Sequence, residues 1–121
     1  MDRKRLRSSF RFAFIGIREG FRDQQNIQLQ TLIGLIVLLM AFAFQLDWLR
    51  IVILIVVISQ VLTLETANTA LEKYIDKVTP EEDDTVGMVK DLLAGVVLIC
   101  SMTAVVVGLI VFYQPIISLL F

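Results

Sequence analysis

Residues 51–64 read I-V-I-L-I-V-V-I-S-Q-V-L-T-L, and residues 65–76 continue E-T-A-N-T-A-L-E-K-Y-I-D. The first part contains no Asp, Glu, Lys or Arg, yet it is too short to cross a hydrocarbon core ~30 Å thick, which takes about 20 apolar residues in a helix. To cross, the helix must run on past Glu65 through Thr66, Ala67, Thr69, Ala70 and Leu71, which places an ionisable side chain at membrane depth. Two further uncharged stretches, 24–46 and 92–121, lie on either side. The chain therefore reads as an all-α integral membrane protein with three transmembrane helices, approximately 27–46, 49–78 and 86–114, in a single domain over residues 1–121.

Working outward, residues 3–21 set Leu6, Phe10, Phe14, Ile17 and Phe21 at spacings of three and four, with Arg7, Arg11, Arg18 and Arg22 mostly on other faces. Segment 1–23 is read as an amphipathic N-terminal helix lying in the membrane interface, either anchoring the protein on anionic lipid or forming a lid over a site. The basic, charge-interrupted start does not resemble a cleavable signal peptide, so no removal is expected. Pro80 and the acidic run Glu81, Glu82, Asp83, Asp84 read as a solvated connection, and Pro115 is expected to bend or end the last helix. Gly34, Gly95 and Gly108 are read as sites of close helix contact.

The net charge of −1 hides a segregation. Arg3, Lys4, Arg5, Arg7, Arg11, Arg18 and Arg22 precede the first span and Lys73, Lys77 and Lys90 flank the second connection, whereas Arg50 stands alone on the other side. By the positive-inside rule, the N-terminus and that connection are cytoplasmic, and the turn before Arg50 and the C-terminus lie outside, in the cell inner (cytoplasmic) membrane. His is absent and Cys100 is the single cysteine, which excludes an intrachain disulfide, a Cys/His zinc site and any His-based general base.

Carboxylates, Lys and amides remain for chemistry. Glu65, Asn68, Glu72 and Asp76 stand at i, i+3, i+7 and i+11 and so share one helix face, while Lys90 and Asp91 enter the third helix from the same membrane side. Charged groups at membrane depth are costly enough that function is the default reading. Such a set suits a phosphate donor: carboxylates hold Mg²⁺, Lys and metal offset phosphate charge, and the amide orients a reactant. Glu65, deepest in the membrane, can take a proton from a lipid hydroxyl. The chain has no G-x-x-x-x-G-K-[ST] loop, so a nucleotide site here is of another design. Hiding the polar face from lipid on every side favours a homo-oligomer, and a different class also fits, a non-catalytic oligomer or pore with Glu65 and Asn68 along a polar path.

At these residues the chain resembles the small integral-membrane diacylglycerol kinases of bacteria, which include Gram-positive undecaprenol kinases. The motif is E-x-x-N-[ST]-A-[IL]-E-x-x-x-D, here Glu65, Asn68, Thr69, Ala70, Leu71, Glu72 and Asp76, with Lys90-Asp91 leading into Leu92-Leu93-Ala94-Gly95. The resemblance implies a homotrimer with composite sites, ATP with Mg²⁺ as donor, and transfer of the γ-phosphate to a membrane lipid alcohol, diacylglycerol or undecaprenol. It implies Glu65 as catalytic base, Asn68 as a positioning group at the nucleotide, Glu72 as a metal ligand, and Asp76, Lys90, Asp91 and Arg5 as nucleotide-site residues. Where the family often carries a metal-binding Glu before the first span, this chain has Gln24, an amide that offers Mg²⁺ an oxygen without charge; Asp23 or Glu19 are the candidates to compensate.

Overall fold

The computed structural model describes residues 2–121 and contains four helices: α1 (Arg3–Asp23), α2 (Gln25–Ala43), α3 (Trp48–Val78) and α4 (Asp84–Leu120). Each start has a local cause. Asp2 precedes α1 and its carboxylate accepts the Lys4 amide at 3.0 Å, while Asp83 precedes α4 and accepts the Thr85 and Val86 amides at 2.8 and 3.1 Å. The α1–α2 elbow turns on Gln24 alone, with extended backbone, and Gln28 holds it by donating its side-chain amide to the Phe21 and Arg22 carbonyls at 2.8 and 3.2 Å. Those carbonyls belong to the last turn of α1, which has no partner of its own for them. The α2–α3 turn includes Gln45 at φ 55, a left-handed conformation that reverses the chain within a few residues.

Helices α2, α3 and α4 are each long and apolar enough to cross a membrane. The chain is a three-span helical membrane protein by that criterion, and the many exposed Leu, Ile, Val and Phe side chains on these helices are suited to hydrocarbon. α3 packs against both α2 and α4. Its contact face repeats at three- and four-residue spacing: Ile51, Leu54, Val61 and Glu65 are buried, and Ile58 between them meets α2. At Gly34 of α2 the backbone comes so close to α3 that an added Cβ would stand 2.7 Å from Ile58 Cγ2. Gly95 and Gly108 have open space beside them, so the close approach read into all three glycines is realised at Gly34 only.

The end of α4 departs from expectation. The helix continues through Pro115 to Leu120 rather than stopping near residue 114. Proline removes one backbone donor but its fixed φ is helical, and here the apolar run that follows, Ile116 to Phe121, gives the chain no alternative partners for its backbone in lipid. At about 1.5 Å per residue α4 is about 55 Å long, well beyond a ~30 Å hydrocarbon core, so its charged first turns extend outside that core.

Candidate active site

The polar face of α3 lies at the end of the bundle nearest the 79–83 connection. Among the described residues Glu65 is the one buried charged residue, 7% exposed, and it continues the row of Ile51, Leu54 and Val61 that packs on the neighbouring helices. Measured along α3 from Trp48 at about 1.5 Å per residue, it lies about 25 Å in, so the carboxylate is a few ångströms short of the far edge of a ~30 Å core. One turn further, Asn68 donates to Glu72 Oε1 at 3.4 Å, and the amide oxygen of Asn68 is buried with no hydrogen-bond partner. A buried acceptor left unpaired carries a real penalty, and it is satisfied by any donor or cation brought to it.

Beyond Glu72, the ammonium of Lys90 on α4 donates to Asp76 Oδ1, closing α3 onto α4 across the connection. Lys90 precedes the uncharged run that begins at Leu92, and Asp76, by accepting that hydrogen bond, holds its ammonium above the usual lysine range. A second ion pair joins the elbow to the same face: Lys73 Nζ stands 3.9 Å from Asp23 Oδ2. The arrangement is therefore a ladder along α3, from a buried carboxylate through an amide–carboxylate pair to two lysine contacts.

Not every residue singled out in the sequence joins it. Asp91 is exposed, a third of a turn round α4 from Lys90, with no ion pair among the described residues. Arg5 is exposed near the start of α1, about 27 Å along the helix from Asp23, and forms no ion pair with the ladder among the described residues. Gln24 is half-buried at the elbow and its side chain makes no cap. Lys73 and Gln28, in turn, carry no local pattern that reveals their roles; only the opposite charges of Asp23 and Lys73, 50 residues apart, hinted at a contact.

Among the described residues no three His, Cys, Asp or Glu side chains form a closed metal cluster. A divalent cation that keeps waters and phosphate oxygens would need only one or two protein oxygens. Glu72 and the free Asn68 oxygen are adjacent oxygens of that kind. Beside the ladder, α2, α3 and α4 enclose an apolar groove of about 830 Å³ whose walls include Gln30, Gly34, Ile58, Val61, Ala104 and Phe112. Val61 is one turn from Glu65 on the same face, so one end of the groove stops about a turn short of the buried carboxylate.

Fold and site together define a multi-pass helical membrane protein that presents carboxylates, an amide and lysine at one end of its bundle. The sequence profile of the prokaryotic diacylglycerol kinase family matches residues 11–112. A diacylglycerol kinase of Synechocystis sp. is 32% identical over 113 residues, covering 93% of this chain and 65% of the relative, so the chain spans just under two thirds of that protein's length. An undecaprenol kinase of Bacillus subtilis is 30% identical over 108 residues, covering 89% of this chain and 88% of the relative. The chain belongs to the prokaryotic diacylglycerol kinase family.

Proposed function

We propose that this protein is a lipid kinase that transfers the γ-phosphate of ATP to the hydroxyl of a membrane lipid, converting diacylglycerol to phosphatidic acid. Family membership supports the class of reaction. The observation that carries the site assignment is the buried Glu65 carboxylate, one turn from the apolar groove on one side and from the unpaired Asn68 oxygen on the other. An acid at that junction meets a lipid hydroxyl from the membrane and a phosphate donor from the aqueous side.

In this reading Glu65 accepts the hydroxyl proton as the alcohol oxygen attacks the γ-phosphorus, and the bond from that phosphorus to the β,γ-bridging oxygen breaks to release ADP. Asn68 positions a reactant through its free oxygen. Glu72 is the protein ligand for Mg²⁺, which when bound offsets the charge of the phosphates. Lys90, held by Asp76, and the Asp23–Lys73 pair form the nucleotide side, with Asp91 and Arg5 completing it from positions outside the ladder. The distribution of Arg and Lys favours a cytoplasmic N-terminus and active site with α1 lying in the interface of the inner membrane, and the family resemblance favours composite sites in a homotrimer.

Undecaprenol is the second acceptor, because the relative whose length this chain matches to 88% is an undecaprenol kinase. The test is transfer of labelled phosphate from ATP and Mg²⁺ to diacylglycerol and to undecaprenol in separate mixed micelles, with Glu65→Gln as control. Product that disappears in the variant supports the kinase and reveals its acceptor; ion conductance altered by Glu65→Gln with no transfer supports the pore instead. Gln24→Glu tests the metal side, since a charged oxygen at the elbow is expected to lower the Mg²⁺ concentration needed for half-maximal transfer. An unchanged Mg²⁺ requirement would remove residue 24 from the metal site.

A further inference from the structure

The groove between α2, α3 and α4 is polar at the end nearest Glu65. On α3 its wall stops at Leu62, three residues short of the carboxylate, and at this end Gln30 of α2 and Ser101 of α4 line it. Gly34 faces Ile58 in the antiparallel pair α2 and α3, which brings Gln30 to the level of Leu62, about 4.5 Å along the helix from Glu65. Ser101 stands eleven residues after Lys90, and Glu65 eleven residues before its partner Asp76, so these two lie at about the same depth. Further in, Val37, Ile58, Ala104 and Phe112 keep the walls apolar until Tyr113, about 18 Å along α4 from Ser101. Gln30 and Ser101 are half-buried, and among the described residues neither side chain makes a hydrogen bond. The hydroxyls of Thr31, Thr66 and Thr103, by contrast, donate to the carbonyls of Ile27, Leu62 and Ile99.

Hydrocarbon offers neither donors nor acceptors, so the occupant of the groove must bring acceptors for an amide and a hydroxyl that are otherwise unmet. Diacylglycerol has them in the right order. Its free hydroxyl is followed within a few bonds by two ester carbonyls and then by hydrocarbon chains, and the protein presents in turn Glu65, then Gln30 with Ser101, then apolar walls. A polyprenol passes from hydroxyl straight to hydrocarbon and would leave both donors unpaired, the kind of mismatch by which a hydrogen-bonding site rejects an analogue. Resting on the lipid-kinase reading above, we propose that Gln30 and Ser101 bind the ester carbonyls of the acceptor lipid, and that they select an acylglycerol over a polyprenol. One acyl chain of that lipid occupies the groove.

The test compares dioleoylglycerol with its dialkyl ether counterpart, which keeps the hydroxyl and both chains but lacks the carbonyls. In the full-length protein, kcat/KM for phosphate transfer is expected to favour the ester by about tenfold or more, and Gln30→Met and Ser101→Ala are each expected to shrink that preference by about three- to tenfold, chiefly through KM. A purely structural role would slow both acceptors alike, so an unchanged ester-to-ether ratio in both variants overturns the proposal. Binding is read separately from turnover with a diacylglycerol carrying a diazirine in one acyl chain. Photolabelling is expected on groove residues of α2 and α4, to be competed by dioleoylglycerol, and to weaken in Gln30→Met. Labelling that is not competed, or is equal in the variant, overturns the proposal even where the parent phosphorylates dioleoylglycerol and the kinase reading stands; a parent that binds dioleoylglycerol in the groove but transfers no phosphate overturns the kinase reading instead. Oxidation of Ala104→Cys in a Cys100→Ala background into covalent dimers, unaffected by dioleoylglycerol, would give the groove to a second copy and likewise overturn the assignment.

Discussion

The two ends of the bundle are built from opposite materials. Around the α2–α3 turn, Ala41, Leu46, Ile51, Leu54, Val111 and Phe112 form one buried cluster, with Phe44 edge-on to Phe112 at a centroid distance of 6.2 Å. Towards the 79–83 connection, the polar row of α3 comprises buried Glu65, half-buried Asn68 and Glu72, and exposed Asp76, whose ion pair with Lys90 joins α3 to α4. A packed apolar cluster holds three helices together without polar groups, and this frees the other end to carry charges whose desolvation would otherwise weaken the fold. Stability should therefore be concentrated at one end and chemistry at the other.

The largest effect expected is on chemistry. Glu65→Gln keeps the shape and removes the base, so phosphate transfer should fall by about 10²–10⁴-fold in the micelle assay while the thermal unfolding of the solubilised protein stays near the parent's. A variant that unfolds early instead would mean that the carboxylate is structural. At the opposite end, Ile51→Ala truncates a buried side chain of the cluster outside the groove walls and should lower stability by about 2–5 kcal/mol in reversible unfolding, with transfer retained at low temperature. Loss of transfer without loss of stability there would break the separation of the two ends.

Gly34→Ala sits between them. Its new methyl would stand 2.7 Å from Ile58 Cγ2, a β-branched group close to its own backbone, so α2 and α3 must part slightly and stability should drop by about 1–3 kcal/mol. Gly95→Ala and Gly108→Ala, with open space at the added methyl, should be near neutral within a single chain. The smallest effect on transfer concerns Lys90. Because Asp76 raises its pKa above 10.5, the charged contact is fully present below that value and is lost only as pH rises through the raised one. Lys90→Gln should weaken ATP use by about tenfold, seen in KM, and leave any decline of transfer between pH 8 and 10 unchanged, at about the interaction strength of a charge-assisted hydrogen bond. A decline that vanishes in Lys90→Gln would assign it to this residue.

Much of this division could be read from residues in order. The three spans follow from charge-free runs, and the polar row of α3 follows from helical spacing alone, since 65, 68, 72 and 76 must fall together on any helix. Joining Asp76 to Lys90 was legible as two charges on the same side of the membrane. What could not be read depends on how helices meet. Glycine spacing does not say which glycine touches a neighbour, because that is fixed by the facing side chain, here Ile58. The elbow clamp of Gln28 and the Asp23–Lys73 pair depend on the angle between α1 and α2, which no local pattern encodes. Arg5 and Asp91 resemble family positions by counting, yet their distance from the ladder is a matter of helix direction. Pro115 failed as a stop because lipid offers the following backbone nothing better than a helix.

The most direct measurement is a paired one: phosphate transfer and thermal unfolding of Glu65→Gln and Ile51→Ala, side by side with the parent in the same micelles. Separation of the ends predicts that Glu65→Gln melts with the parent and loses nearly all phosphate transfer, while Ile51→Ala melts well below it and still transfers phosphate when cold. Transfer surviving in Glu65→Gln would contradict the assignment of the buried carboxylate as the base and, with it, the location of chemistry at this end of the bundle.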